Sequence, residues 1–383
     1  MRAHKPNIVR DSTNAQQEVE LELPDINKSL LIAAFTGVVT YNSNYSSSFN
    51  AYIENPAAAA FHKLQHDLLD VYPAILNVQI RDLFTSEGKR KGRFRLRQLG
   101  EVYRTLTQLL SAVALADLWD IAMEEDRQGV FKISTKQRKA IKQYTHSETR
   151  EEGTIDHFQL LRSICSIFVK NNAPLYMTEL LNLDKKLRSA TKTYKAYQFF
   201  EVDFCPRFQK ENILDKEVVA LCQTAEEQLG LLLQATAFLA NYEIIRVKDI
   251  SVNYPSRRGV PAFVHQKAHI SGREYPTIDH EPISYNNTIN NHSVFLTRNA
   301  KADGQALNLS PFVIDQNAFK GKKHYLPKVY FFEGIDKEGQ VHYNHVDTQS
   351  LNFILTNEST LAKHAYLKQL PNSIRTFCQD IGG

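Results

Sequence analysis

Leu229-Gly230-Leu231-Leu232-Leu233-Gln234-Ala235-Thr236-Ala237-Phe238-Leu239 is followed within five residues by Ile244-Ile245-Arg246-Val247-Lys248-Asp249-Ile250-Ser251-Val252. The first run is apolar on nearly every face of a helix, as a segment buried inside a bundle would be. The second carries apolar residues at Ile244, Ile245, Val247, Ile250 and Val252, nearer the period of two that a half-buried strand requires. Asn241 marks the change. The chain therefore reads as α+β, a helical bundle followed by a mostly antiparallel β-rich region.

Upstream of Asn241 the spacing is helical. Ala57 to Phe84 is rich in Ala and Leu, with Pro73 placed to kink or divide it. Gln98 to Asp126 carries Leu99, Val102, Tyr103, Leu106, Leu109, Leu110 and Val113 in one apolar stripe. Ser134 to Tyr144, Ile155 to Lys170, Leu175 to Tyr194 and Glu211 to Asn241 continue the pattern. Downstream, Ala262 to Ile270 alternates, and Val294 to Leu296 and Leu309 to Ile314 read as short strands. Val329 to Ile335 and Gln340 to Val346 flank a turn at Asp336-Lys337-Glu338-Gly339, the strongest hairpin signal in the chain. A helix from Ser359 to Leu370 closes it. The expected organisation is an extended, partly ordered segment over 1–54, a helical domain over 55–241 and a β-rich domain over 242–383.

Composition narrows the classes. The chain has 383 residues, with 46 Lys plus Arg against 42 Asp plus Glu, a net charge of +4. So small an excess over this length does not by itself imply a nucleic-acid partner. Hydrophobic residues at 43% and charged residues at 23% are globular values and argue against wholesale disorder. The stretch Met1 to Asp25 is polar and lacks the basic start and apolar core of a secretory signal. The run Leu30 to Val39 is about half the roughly 20 residues a membrane helix needs. Cys165, Cys205, Cys222 and Cys378 are scattered without a C-x-x-C pair, as in a reduced cytoplasmic protein. No membrane association is expected.

The sharpest local feature is Lys89-Arg90-Lys91-Gly92-Arg93-Phe94-Arg95-Leu96-Arg97, in which six of nine residues are basic. In an extended segment Arg93, Arg95 and Arg97 would share one face, with Phe94 and Leu96 on the other. Each guanidinium donates two parallel hydrogen bonds, a geometry suited to phosphate oxygens. Lys89, Arg90, Lys91, Arg93, Arg95 and Arg97 are therefore the candidate contact for nucleic acid or a protein partner. The competing reading is a solvated loop paired with Glu87, Glu101 or the acidic cluster Glu124 to Asp126.

Two further basic stretches occur, Lys132, Lys136, Arg138, Lys139 and Lys142, then Lys185, Lys186, Arg188, Lys192 and Lys195. On one continuous helix Lys185, Arg188, Lys192 and Lys195 would share a face with Tyr194 and Tyr197 alongside. Exposed helix faces look the same, and no nucleic-acid module accompanies the charge.

Histidine is skewed towards the carboxy-terminal part. His265 and His269 would pair on a helix, but on a strand they stand roughly 13 Å apart, too far for one ion. On a strand His345 and Asp347 share a face while His342 points the other way, and two ligands do not close a site unless His280, His292, His324 or Glu281 joins them. Asp82 with Glu87 and Lys89 has the residue types of one nuclease class but not the strand hairpin beneath them. Neither phosphate-cradling glycine motif nor a nucleophile elbow occurs.

No catalytic residue, metal site or cofactor is assigned. The expected function is that of a non-catalytic intracellular interaction protein, an adaptor or subunit of a larger assembly, with a protein partner or a second copy of itself. The alternative is a nucleic-acid-associated subunit of a DNA- or RNA-acting complex using Lys89 to Arg97. A metal-dependent hydrolase ranks third.

Overall fold

The computed structural model describes residues 27–124, 131–149, 155–188, 190–209, 212–253, 262–270, 283–285, 293–298, 306–316, 328–346, 353–355 and 365–382. Helices come first and two antiparallel sheets follow, so the architecture is α+β as the change of period predicts.

The first helices are α1 (Lys28–Tyr41), α2 (Ser46–Glu54), α3 (Ala58–Val71) and α4 (Ala74–Asp82). Pro73 separates α3 from α4, because it can neither donate to the helix ladder nor avoid the preceding carbonyl. Asn77 Nδ2 serves the carbonyls stranded there, donating to Tyr72 O and, at 2.8 Å, to Leu69 O. The axis of the fold is α5 (Arg93–Ala122), in which 21 of 30 residues are buried. Next come α6 (Thr135–Thr145), started by a Ser134–Gln137 capping box, and α7 (His157–Lys170), which packs along α5 and whose first turn Asp156 caps. Then come α8 (Leu180–Arg188), α9 (Lys192–Gln198), a π-helical turn Phe199–Phe204, α10 (Cys205–Gln209) and α11 (Asp215–Ala235).

Three expectations need correction. Residues 28–54 are helical rather than extended, and Leu30, Leu31, Ala34, Phe35 and Val38 of α1 are fully buried. Burying each large side chain is worth roughly 1.5–3 kcal/mol, which fixes the segment in the core. Close approach makes this possible: a Cβ on Gly37 would lie 2.6 Å from both Ala237 Cβ and Gln234 O. The segment Arg93 to Arg97 is the first turn of α5, so the alternating extended face does not exist. The basic stretch from Lys185 to Lys195 is broken between α8 and α9 and presents no continuous face.

A 3-10 turn, Ala237–Asn241, leads into β1 (Tyr242–Asn253). The other strands are β2 (Ala262–His269), β3 (Ile283–Tyr285), β4 (Val294–Arg298), β5 (Ala306–Asn308), β6 (Val313–Asp315), β7 (Val329–Ile335), β8 (Val341–His345) and β9 (Phe353–Leu355). They form sheets of order β3-β2-β1-β4-β5 and β6-β7-β8-β9. The β7–β8 hairpin turns at Asp336 to Gly339 as expected. Gly339 takes φ +77°, and Asp336 N donates to Gln340 O at 3.0 Å. The closing helix, α12, is described over Ala365–Phe377 and runs on as a π-helical turn Cys378–Gly382. The segment 356–364, where it was expected to begin, lies outside the described residues.

One continuous set of buried side chains takes in residues from both parts of the chain. Trp119 of α5, Tyr144 of α6, Phe312, Phe332 of β7 and Phe377 of α12 are linked by ring contacts, most of them edge-on or tilted, as aromatic quadrupoles prefer. No helix among the described residues is long and apolar enough to cross a membrane.

Candidate functional site

The six basic residues singled out from sequence separate into two roles. Arg95 points inward: its side chain is 0% exposed, and Nη2 lies 2.5 Å from Glu226 Oε2 on α11. The same guanidinium donates to Gly88 O at 2.7 Å and Asn27 Oδ1 at 2.8 Å. Ser29 Oγ completes the network on Glu226 Oε1 at 2.8 Å. This is a tie between α1, α5 and α11, not a ligand contact.

Helical geometry explains the reversal. On a helix Arg95 lies about 200° from Arg93 and from Arg97, so it falls on the buried side with Leu96 and Leu99 while Arg93 and Arg97 face solvent. Arg93 is exposed and pairs with Asp215 across a 2.5 Å contact. Arg90 and Arg97 are also exposed, while Lys89 and Lys91 are half-buried. They surround the start of α5, whose first turn holds no acidic residue and whose Gly92 cap offers no side chain. Positive charge there is reinforced by the helix dipole.

The other candidates are placed as follows. Lys132, Lys136, Lys139 and Lys142 are exposed around α6, whereas Arg138 donates to Ile381 O at 3.0 Å. Arg188 pairs with Asp184 at 2.6 Å. His342 Nε2 contacts Asp336 Oδ2 at 2.6 Å across the β-turn, and the His345 ring meets Tyr330 edge-on. Asp347, His280, His292, His324 and Glu281 lie outside the described residues, and nothing is described of the His265 and His269 side chains. Among the described residues no group of three or more His, Cys, Asp or Glu could hold a metal ion. Asp82 ends α4 and Glu87 is exposed in the following turn, without a hairpin beneath them.

Sequence reasoning passed over a set of buried titratable groups around the π-helical turn. Tyr103 of α5 is 2% exposed and donates from Oη to Glu201 Oε1 at 2.6 Å. Its ring stacks on Phe200 with centroids 4.4 Å apart. Tyr197 Oη donates to Asp156 Oδ2, whose other oxygen caps α7 by accepting from Gln159 N at 2.8 Å. Phe158 packs against both tyrosine rings.

Burial, and then the neighbouring Asp156 charge, raise the Glu201 carboxyl to about 7 against the opposing Tyr103 hydrogen bond. Burial, then the Glu201 carboxylate, push the Tyr103 phenol well above its usual range. The Cys205 thiol rises to about 12, through burial and then Glu201 and Glu101. The sequence signal was present as Tyr197 to Phe204, four aromatics and two acids in eight residues. It matches no motif because the partners Tyr103 and Asp156 are distant in the chain.

The same turn carries the most exposed large apolar side chain described, Val202 at 73%. Beside it, Arg207 reaches Asp203 at 3.7 Å and Glu217 at 3.0 Å. Glu217 also accepts from Leu214 N at 3.2 Å, bringing the start of α11 alongside. There Leu214 is 56% and Val219 53% exposed. Comparison of the chain with protein-family models, with curated proteins and with solved structures finds no match.

Proposed function

We propose that this chain is a non-catalytic interaction protein, an adaptor or a subunit of a larger assembly, and that it binds through the surface around the π-helical turn and the start of α11. The observation that carries this reading is the exposure of Val202, Leu214 and Val219, each more than half exposed, on the π-helical turn and the start of α11, which Arg207 links through Asp203 and Glu217. Exposed apolar side chains on two linked elements with charged neighbours have the composition of a protein-binding surface. The chemistry-bearing side chains nearby are held by one another rather than presented, as in the Tyr103–Glu201 and Tyr197–Asp156 pairs. Four free thiols without a pairing pattern support a reducing, cytoplasmic setting.

The test is Val202→Lys with Val219→Lys. Both sites are exposed, so thermal stability should stay at the wild-type value. A partner captured by the wild type and reconstituted from purified components, or self-association measured by light scattering, should be lost. A stably folded double variant that keeps every association removes the proposal.

A second reading, contact with nucleic acid or another polyanion, rests on a separate observation. Lys89, Arg90, Lys91 and Arg97 gather at the start of a 30-residue helix with no acidic residue in its first turn. Such contacts weaken steeply with salt, which separates this reading from apolar docking.

A further inference from the structure

Glu201 and Asp156 come from different elements, and each carboxylate receives a tyrosine hydroxyl from a third place in the fold. No basic side chain bonds either carboxylate among the described residues, and the Asp156 charge adds to the field at Glu201. From α5 the pair is met by Tyr103 and by Glu101 with Arg104, which are joined to each other at 2.7 Å. From α7 comes Arg162, which lies 3.8 Å from Asp184 and so is shared. From α9 comes Tyr197, and from the turn and α10 come Asp203, Cys205 and Arg207. From α11 comes Glu217, already joined to Arg207. Negative charge at Glu201 is thus poorly compensated, while a neutral carboxyl can still share a hydrogen bond with Tyr103.

The geometry points to a proton-operated latch in which neutral Glu201 holds the π-helical turn Phe199–Phe204 against α5 and α7, and its ionisation beside Asp156 loosens that turn. The turn is suited to such a part. It is a six-residue π segment between two short helices, and its closure depends on Phe200 stacking on Tyr103 and Phe204 packing on Phe200. Loosening would expose these rings next to Val202. The latch stands independently of the interaction reading, although it would regulate the same surface.

The sign follows from linkage. A carboxyl whose proton is held more tightly in the closed form favours closure at low pH, and that preference is lost as pH rises through its closed-state value. In the closed turn Glu201 is raised from the ordinary carboxylate range to about 7, driven by burial and then by Asp156.

The experiment is hydrogen–deuterium exchange of the full chain from pH 5.5 to 8, corrected for the intrinsic pH dependence of amide exchange. Protection of residues 197–209 should fall by on the order of 10- to 30-fold across this range. A peptide from the middle of α5 should stay level. Glu201→Gln, neutral at all these values, should hold high protection throughout. Tyr103→Phe removes the hydroxyl that opposes the shift but keeps the ring, so its midpoint should move to higher pH. A merely structural hydroxyl would lower protection without moving the midpoint. Level protection in the wild type overturns the latch, as does a wild-type pH dependence in Glu201→Gln. If that variant does not fold, an unmoved midpoint in Tyr103→Phe overturns it.

Discussion

Arg95 and Glu226 form an ion pair out of contact with solvent, with Arg95 Nη2 2.5 Å from Glu226 Oε2. The pair is extended by Asn27, Ser29 and Gly88 O, so almost every polar group there is satisfied; Arg95 Nε is left without an acceptor. Breaking a buried pair leaves one charge desolvated and uncompensated, which costs about 3–5 kcal/mol. Glu226→Ala should therefore destabilise the chain by about that amount in urea unfolding. A loss under about 1 kcal/mol would mean that water or another group replaces the carboxylate.

Two glycines should respond to alanine for different reasons. At Gly37 the added Cβ meets Ala237 Cβ and Gln234 O at 2.6 Å, so α1 must move off α11. Overpacking of this kind costs about 1–3 kcal/mol. At Gly339 nothing lies within 4 Å, and the cost comes from φ +77° alone, roughly 1 kcal/mol. Gly339→Asn should recover most of the second loss because Asn tolerates left-handed backbone, whereas Gly37→Asn should be worse than Gly37→Ala. Equal responses at the two sites in thermal unfolding would contradict this division.

The parts of the fold that sequence made legible are those where one face differs from the other. The β7–β8 hairpin was visible because alternation meets a turn with Gly339, and α5 because its stripe runs for many turns. The helix α1 escaped because Leu30 to Val38 is apolar on adjoining faces, which erases periodicity when most of a helix is buried. Arg95 was misplaced because charge alone reads as exposure, and its compensating partner Glu226 stands 131 residues away. The Tyr103–Glu201 and Tyr197–Asp156 pairs were missed for the same reason. Each is made by tertiary contact, and neither residue's own neighbourhood announces the other.

Global stability should decline as pH rises from about 5.5 to 8. Burial, with Asp120 and Glu124 adding, raises Asp117 to about 7 although the Tyr176 amide opposes it. Glu201 reaches about 7 for the reasons already given. Both are raised in the folded chain, so the stability they contribute is fully present below the ordinary carboxylate range and is lost as pH passes the folded value. For Asp117 the slope is at most about 1.4 kcal/mol per pH unit. Denaturant midpoints for Asp117→Asn and Glu201→Gln should each vary less with pH than the wild type. A wild-type midpoint that rises over this interval would refute the assignment.

The basic residues at the start of α5 allow structural and contact roles to be separated. Arg90 and Arg97 are exposed, and neither has a hydrogen bond or ion pair from its side chain among those described. Replacing them with Gln should change stability by no more than about 0.5 kcal/mol, the usual range for surface sites. If this end of the helix meets a polyanion, Arg90→Gln with Arg97→Gln should elute from a heparin column at clearly lower salt. Each lost phosphate contact on a single strand should flatten the log–log salt slope by about 0.7. Arg95→Gln should do the opposite on both axes. Its side chain never reaches solvent, so elution of the folded fraction should match wild type, while the stranded Glu226 carboxylate lowers the unfolding midpoint sharply. Unchanged elution of Arg90→Gln with Arg97→Gln would leave Lys89 to Arg97 as a helix start whose charges serve the fold and the solvent alone.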